Sequence, residues 1–250
     1  VILGLLNSSE SYILKIKLDD PNLTISETNL ADGSNCLKIC FSKYKLKDEQ
    51  IIASGKKAEA NIQRSKNLNL IAHSAYLNGM SEELLKITIE YLKTRTQFGK
   101  KIGSFQALQH RAVDMYMQLR ISGAVLEDAL ESLSEDTDAF VIEKLLSRAK
   151  YRSNQTAKII TREAIQMHGG MGYTDECDVG LFVNKALVLT SRLGNCTEHS
   201  WKNSCLIIMK QINVLAPVGN PNQKKVGHLY LTRSLEKFPV LFLNLSIQSQ

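Results

Sequence analysis

The chain has 250 residues, 44% hydrophobic and 22% charged, the balance of an ordinary globular protein with a sizeable core, organised as one large domain or two small ones. Its formal charge of +6 comes from Lys and Arg scattered along the chain, with no basic block longer than Lys100-Lys101 or Lys224-Lys225. That pattern speaks against nucleic acid and suits a small anionic ligand. Cys36, Cys40, Cys177, Cys196 and Cys205 are odd in number and form no CxxC, which argues against a zinc site or a disulfide framework, and no apolar run reaches the roughly 18 residues of a membrane span.

The opening VILGLL is short, lacks a basic flank and has no small-residue cleavage site, so it does not read as a signal peptide. Residues 11–18 (SYILKIKL) alternate apolar and polar, as a half-buried strand does. Turn clusters at Asp19-Asp20-Pro21-Asn22 and Ala31-Asp32-Gly33-Ser34 separate short strands at 23–26 and 36–41. Residues 1–55 are therefore the end of a β-domain, since a few strands alone would leave edges and an apolar face bare.

From Lys66 the period becomes helical, with Leu68, Ile71, Ala72, Ala75, Gly79, Leu84, Ile87 and Tyr91 at spacings of three to five. Ser104 is placed to cap a second helix carrying Phe105, Leu108, Ala112, Met115, Leu119, Ala124 and Leu130. A polar stretch at 132–138 precedes a third helix over 138–167, which Gly169-Gly170 stops. A fourth helix is expected over 179–190 and a fifth over 197–215. Residues 60–215 thus form a helical bundle, and 216–250, broken by Pro217, Gly219, Pro221 and Gly227, form an irregular tail with one apolar run at 238–245.

Two segments carry chemistry: residues 91–106 (YLKTRTQFGKKIGSFQ) and 166–174 (QMHGGMGYT). Alone, Arg95 would suit a helix C-terminus, Phe98 a core and Gly99 a C-cap. Three glycines in four positions require positive φ or a close approach by the backbone. They belong either to a tight turn between helices or to bare N–H groups set against a phosphate or adenine. No strand precedes them, and neither a Walker loop nor a Rossmann fingerprint is present. His168 reads as a structural hydrogen-bonding group.

Together with Lys101-Ile102-Gly103, Phe105-Gln106, His110 and Asp114, the first segment gives RxQFGxxIxxFQxxxHxxxDM, which resembles the signature of the acyl-CoA dehydrogenase family. The resemblance covers residues 10–210 and implies a mainly α fold: a C-terminal four-helix-type bundle preceded by a partial antiparallel β-domain. It implies FAD as cofactor and α,β-dehydrogenation of an acyl-CoA thioester in a homo- or hetero-oligomer that passes electrons to a separate acceptor. By the same resemblance Arg95 contacts the FAD pyrophosphate of a neighbouring subunit. Gln97, Phe98 and Gln106 help enclose the cofactor, and Gln166, Gly169 and Gly170 lie against its adenine end. A guanidinium suits that role because it forms paired, charge-assisted bonds to a diphosphate. The cysteine usage fits a reducing compartment, the cytoplasm or the mitochondrial matrix.

The chain departs from the family pattern in two respects. The slot of the usual catalytic Glu holds Leu193, followed by Gly194, and the alternative slot holds Asn69. Neither residue takes up a proton, so the catalytic base is unassigned. Glu176, Asp178 and Glu198 lie nearby and read as surface or helix-cap charges. In this the segment around 193–199 is similar to a bacterial subgroup that also lacks the Glu and in part pairs unlike subunits. The family's N-terminal helical domain and the part of its β-domain that holds the flavin ring have no counterpart here. Three readings stay open: a partial or divergent dehydrogenase subunit, a non-catalytic partner of a longer subunit, and a helical interaction module without cofactor.

Overall fold

A computed structural model describes residues 2–6, 10–42, 44–133 and 137–200. The expected helix over 197–215 is seen only at its start, from 196, and Cys205 and the tail at 216–250 lie outside the described residues.

The chain divides into two compact units. The first comprises residues 2–27 and 37–65 of those described. Strands β1 (Ile2–Leu6), β2 (Ser11–Lys15) and β5 (Ile51–Ser54) form an antiparallel sheet in the order β1-β2-β5. Leu6 pairs with Ser11 and Ile2 with Lys15, so β1 and β2 form one hairpin. A register shift between Ile13 and Leu14 sets a bulge against β5. Leu14, Ile16, Ile39, Ala58 and Ile62 are buried here. A Cβ on Gly4 would stand 3.1 Å from Ile62, so β1 approaches that side chain too closely for a larger residue. Strands β3 (Leu23–Asn29) and β4 (Asn35–Phe41) pair with each other.

Helix α1 (Gly55–Thr94) runs 40 residues and begins eleven residues before the periodicity announced it. Only Ala58 and Ile62 are buried in its first eleven residues, too few for a stripe to show in the sequence. After it come a two-residue-strand hairpin, β6 (Thr96–Gln97) and β7 (Lys100–Lys101), and helices α2 (Gln106–Glu131), α3 (Ala139–His168) and α4 (Val179–Ser191). The fold is mainly α with small antiparallel sheets, as expected.

The second unit, residues 28–36 and 66–203, holds the helical core. On α3, Leu146, Ala149, Ser153, Ala157, Ile160, Ala164 and Met167 are buried at spacings of three and four. Apart from Ser153, they pack in clusters with Leu77, Met80, Leu84, Leu85 and Leu92 of α1, Met115 and Ala129 of α2, and Val179, Ala186 and Leu189 of α4. The buried face of α1 is rotated from the apolar positions named above: Leu68, Ala72, Ala75 and Gly79 are exposed, whereas Ser74, Asn78, Ser81 and Thr88 are buried. Ser74, Ser81 and Thr88 donate to the carbonyls of Leu70, Leu77 and Leu84 one turn back, so these three hydroxyls occupy the interface with their donors satisfied. On α2, Ala124 and Leu130 are likewise exposed, while Ser122 is buried.

Ser104 does not cap α2. Its hydroxyl donates to the Lys101 carbonyl within a single 3-10 turn, and the extended Phe105 holds the cap position. Asp138 does cap α3, accepting from the Phe140 amide at 2.7 Å. Asp32 in the β3–β4 turn accepts from the Ser34 hydroxyl at 2.6 Å and from Lys185 of α4 at 2.9 Å. These neighbours hold its carboxyl well below the usual carboxylate range, the Ser34 hydroxyl contributing most.

Candidate functional site

The first motif is built at the C-terminus of α1. The Lys101 ammonium donates to the Thr94 carbonyl at 2.7 Å, and the Ile102 amide donates to the Arg95 carbonyl at 2.9 Å. The helix end is thereby closed by the returning strand β7. Phe98 (φ 52°) and Gly99 (φ 76°) form the two-residue turn of the hairpin, both left-handed, as a two-residue turn between twisted strands demands. Gly99 is therefore a hairpin residue and not a helix cap. Phe98 is no core aromatic either: it is 89% exposed, edge-on to Phe105 at 6.2 Å, and Lys100 lies 4.4 Å over the Phe105 ring.

Arg95, Gln97 and Gln106 are all exposed. Among the described residues none of the ion pairs involves Arg95, so its guanidinium is not spent on any of the described acids. His110 and Asp114 are exposed on α2.

The second motif ends α3. Gly169 (φ 60°) turns the chain into a 3-10 segment, Gly169–Tyr173. A Cβ on Gly172 would stand 3.0 Å from the Ile165 carbonyl, so this glycine serves close packing. Gly169 and Gly170 face open space and are exposed, as is Gln166.

One contact brings the two motifs together. Tyr91, four residues before Arg95, stacks on His168, the residue before Gly169, with ring centroids 4.3 Å apart and planes 24° from parallel. The Tyr91 hydroxyl donates to the His168 carbonyl at 3.3 Å. His168 is buried, and its Nδ1 donates to the Ala164 carbonyl at 2.8 Å, which fixes the ring and leaves Nε2 without the proton in the neutral form. His168 is thus structural, and it joins the end of α1 to the glycine turn.

Leu193 (φ 59°) and Gly194 (φ 104°), where the sequence leads us to expect a carboxylate slot, form a left-handed turn after α4. The Leu193 carbonyl accepts from His199 Nε2 at 2.8 Å. Glu198 is committed to a reciprocal cap: it accepts from the Asn195 amide, and its own amide donates to Asn195 Oδ1, each at 3.0 Å. Glu176 and Asp178 are exposed, and so is Asn69 on α1, whose carbonyl meets His73 Nδ1 at 2.8 Å. Burial draws His73 below its ordinary pKa.

Sequence reasoning missed a buried polar face beside this turn. Lys150 has no exposed surface; its ammonium donates to Asn154 Oδ1 at 2.9 Å and to the Leu189 carbonyl at 2.7 Å. Burial pulls its pKa down to about 8. The available signal was Ser147, Lys150 and Asn154, at spacings of three and four on the face of α3 that carries Leu146 and Ala157. Among the described residues no group of three or more His, Cys, Asp or Glu could hold a metal ion, and no helix is long and apolar enough to cross a membrane.

Residues 62–196 match the family model described as acyl-CoA dehydrogenase, C-terminal domain. The chain is 36% identical over 121 residues to the acyl-CoA dehydrogenase IpdE2 of Mycolicibacterium smegmatis, covering 48% of this chain and 36% of that protein. It superposes on a chain of the ChsE4-ChsE5 complex from Mycobacterium tuberculosis with a TM-score of 0.70 at 19% identity, covering 88% of this chain and 56% of that one. Butyryl-CoA dehydrogenase from Megasphaera elsdenii gives a TM-score of 0.70 at 22% identity, over 80% of this chain and 51% of that one. The chain thus spans about a third to just over half the length of these relatives.

Proposed function

Because this chain belongs to the acyl-CoA dehydrogenase family, which its match to that family's C-terminal domain establishes, we propose that it acts as a flavin-binding subunit of an oligomeric dehydrogenase of acyl-CoA thioesters. The observation that carries the reading is the Tyr91–His168 stack, which brings the exposed Arg95, in no ion pair among the described residues, and an exposed glycine turn to one end of the bundle.

The residues present fit FAD. Arg95 would pair with the diphosphate, Gln97, Phe98 and Gln106 would enclose it, and Gln166, Gly169 and Gly170 would lie against adenine. Gly169 and Gly170 leave space that a Cβ would partly fill, and their backbone can approach a flat ring. When bound, the flavin supplies the hydride acceptor for oxidation of a saturated C–C bond beside the thioester carbonyl. This chain's own residues bind and orient. Leu193 and Asn69 carry no proton acceptor, and the one carboxylate of the turn, Glu198, is engaged as a cap. The base for α-proton removal is therefore none of these three residues, and a reducing compartment such as the cytoplasm suits the cysteines.

A second reading, a partner subunit that binds no flavin and stabilises a longer, active one, rests on Leu193 and Asn69, neither of which can take up a proton. The flavin spectrum of the purified protein, alone and co-expressed with a full-length family subunit, separates the two. Flavin absorbance that is lost on Arg95→Ala supports the proposal. A protein that is colourless alone and forms a yellow complex whose flavin and activity are unchanged by Arg95→Ala supports the second reading and defeats the first. A colourless protein that neither binds a subunit nor takes up FAD defeats both and leaves a cofactor-free helical module.

A further inference from the structure

We infer that Lys150 and Asn154 are positioning residues that hold the Leu193–Gly194 turn in a single backbone conformation, through donors supplied by one polar face of α3. Leu189 and Thr190 lie in the last turn of α4, where backbone carbonyls lack intrahelical partners. Lys150 donates to the Leu189 carbonyl, and Asn154 Nδ2 donates to the carbonyls of Thr190 at 3.2 Å and of Gly194 at 3.3 Å. Ser147, one turn earlier on the same face, meets His199 Nδ1 at 2.8 Å, and the other ring nitrogen of His199 donates to the Leu193 carbonyl. Four carbonyls over six residues are thus held by Ser147, Lys150, Asn154 and His199, all of them buried.

The local sequence does not explain this investment. A helix followed by a left-handed residue and a glycine can end with backbone bonds alone. Here a lysine is buried with neutral acceptors as its hydrogen-bond partners, an expensive arrangement that a terminus needing no fixed direction does not require. The turn is also closed to change from within: a Cβ on Gly194 would stand 2.6 Å from His199 Nε2. The α3 face therefore fixes where the Leu193 side chain is presented. That this turn borders the dehydrogenation site rests on the proposed function. The clamp itself rests only on these hydrogen bonds.

The test is backbone hydrogen exchange of the full chain, comparing the peptide spanning 188–199 with peptides from α1 and α2. Asn154→Asp keeps the shape, removes the two donated bonds and leaves Lys150 a partner. It should speed exchange at 188–199 by about tenfold, the equivalent of one lost buried hydrogen bond, while α1 and α2 exchange as in the wild type. Lys150→Met should do the same. Ile160→Val, a core change away from the turn, should raise exchange evenly. Equal exchange at 188–199 in Asn154→Asp and wild type, or a rise spread evenly over all peptides, overturns the inference. If Lys150→Met does not fold, Asn154→Asp decides alone. Local release without any change in flavin retention upholds the clamp whatever becomes of the flavin reading.

Discussion

Arg95 is the residue on which the flavin reading turns. Its guanidinium is exposed and takes part in no ion pair among the described residues, so Arg95→Ala removes little from the fold. The variant should lose about 1.5–3 kcal/mol of FAD retention, the scale of a charged hydrogen bond, with its melting temperature unchanged; equilibrium dialysis against FAD measures the first and thermal unfolding the second. Gly194 behaves in the opposite way. Its φ of 104° and the 2.6 Å approach of His199 leave no place for a methyl, and Gly194→Ala should cost about 1–3 kcal/mol in urea unfolding. Lys150 gives a pH signature. Its folded pKa of about 8 lies below its ordinary 10.5, so between those values the unfolded chain binds more protons and stability rises with pH. Lys150→Met should abolish that rise, which urea titrations at pH 7.5 and 10 would detect.

At the scale of elements, the β6–β7 hairpin departs from what local preference would choose. Phe98 sits left-handed at the first turn position, where Asn or Gly is ordinarily favoured. Phe98→Asn should therefore stabilise the isolated protein by up to about 1 kcal/mol, read by urea unfolding. If the ring encloses the cofactor, the same change should weaken flavin retention. A stable variant with unaltered retention would remove Phe98 from the site. Helix α3 was readable in the sequence at both ends, from its start near Asp138 to Gly169 as its stop, because both signals are local. The first eleven residues of α1 and the strand β5 were not, because Ala58 and Ile62 alone make no period and a four-residue strand is defined only by its partner β2.

In the molecule as a whole, distant segments are joined by contacts that no local pattern announces. Asp32 is linked to Lys185 across 153 positions, its side chain only 3% exposed. The depressed carboxyl makes this link fully present above the ordinary Asp value of 3.8 and progressively lost as pH falls below it, so Asp32→Asn should flatten the acid limb of a stability profile. The Tyr91–His168 stack spans 77 positions and is what makes two motifs one end of a bundle. By itself the sequence determined the order of the helices, the strand character of the first 55 residues and the two motifs, because periodicity, turn residues and glycine runs act within a few residues of themselves. Only the tertiary structure decided which face of α1 is buried, since Ser74, Ser81 and Thr88 satisfy their hydroxyls on their own helix and pass for exterior residues in any hydrophobic pattern. It alone also decided that Lys150 and Asn154 serve the carbonyls of α4, because a buried donor takes its meaning from an acceptor some forty residues away.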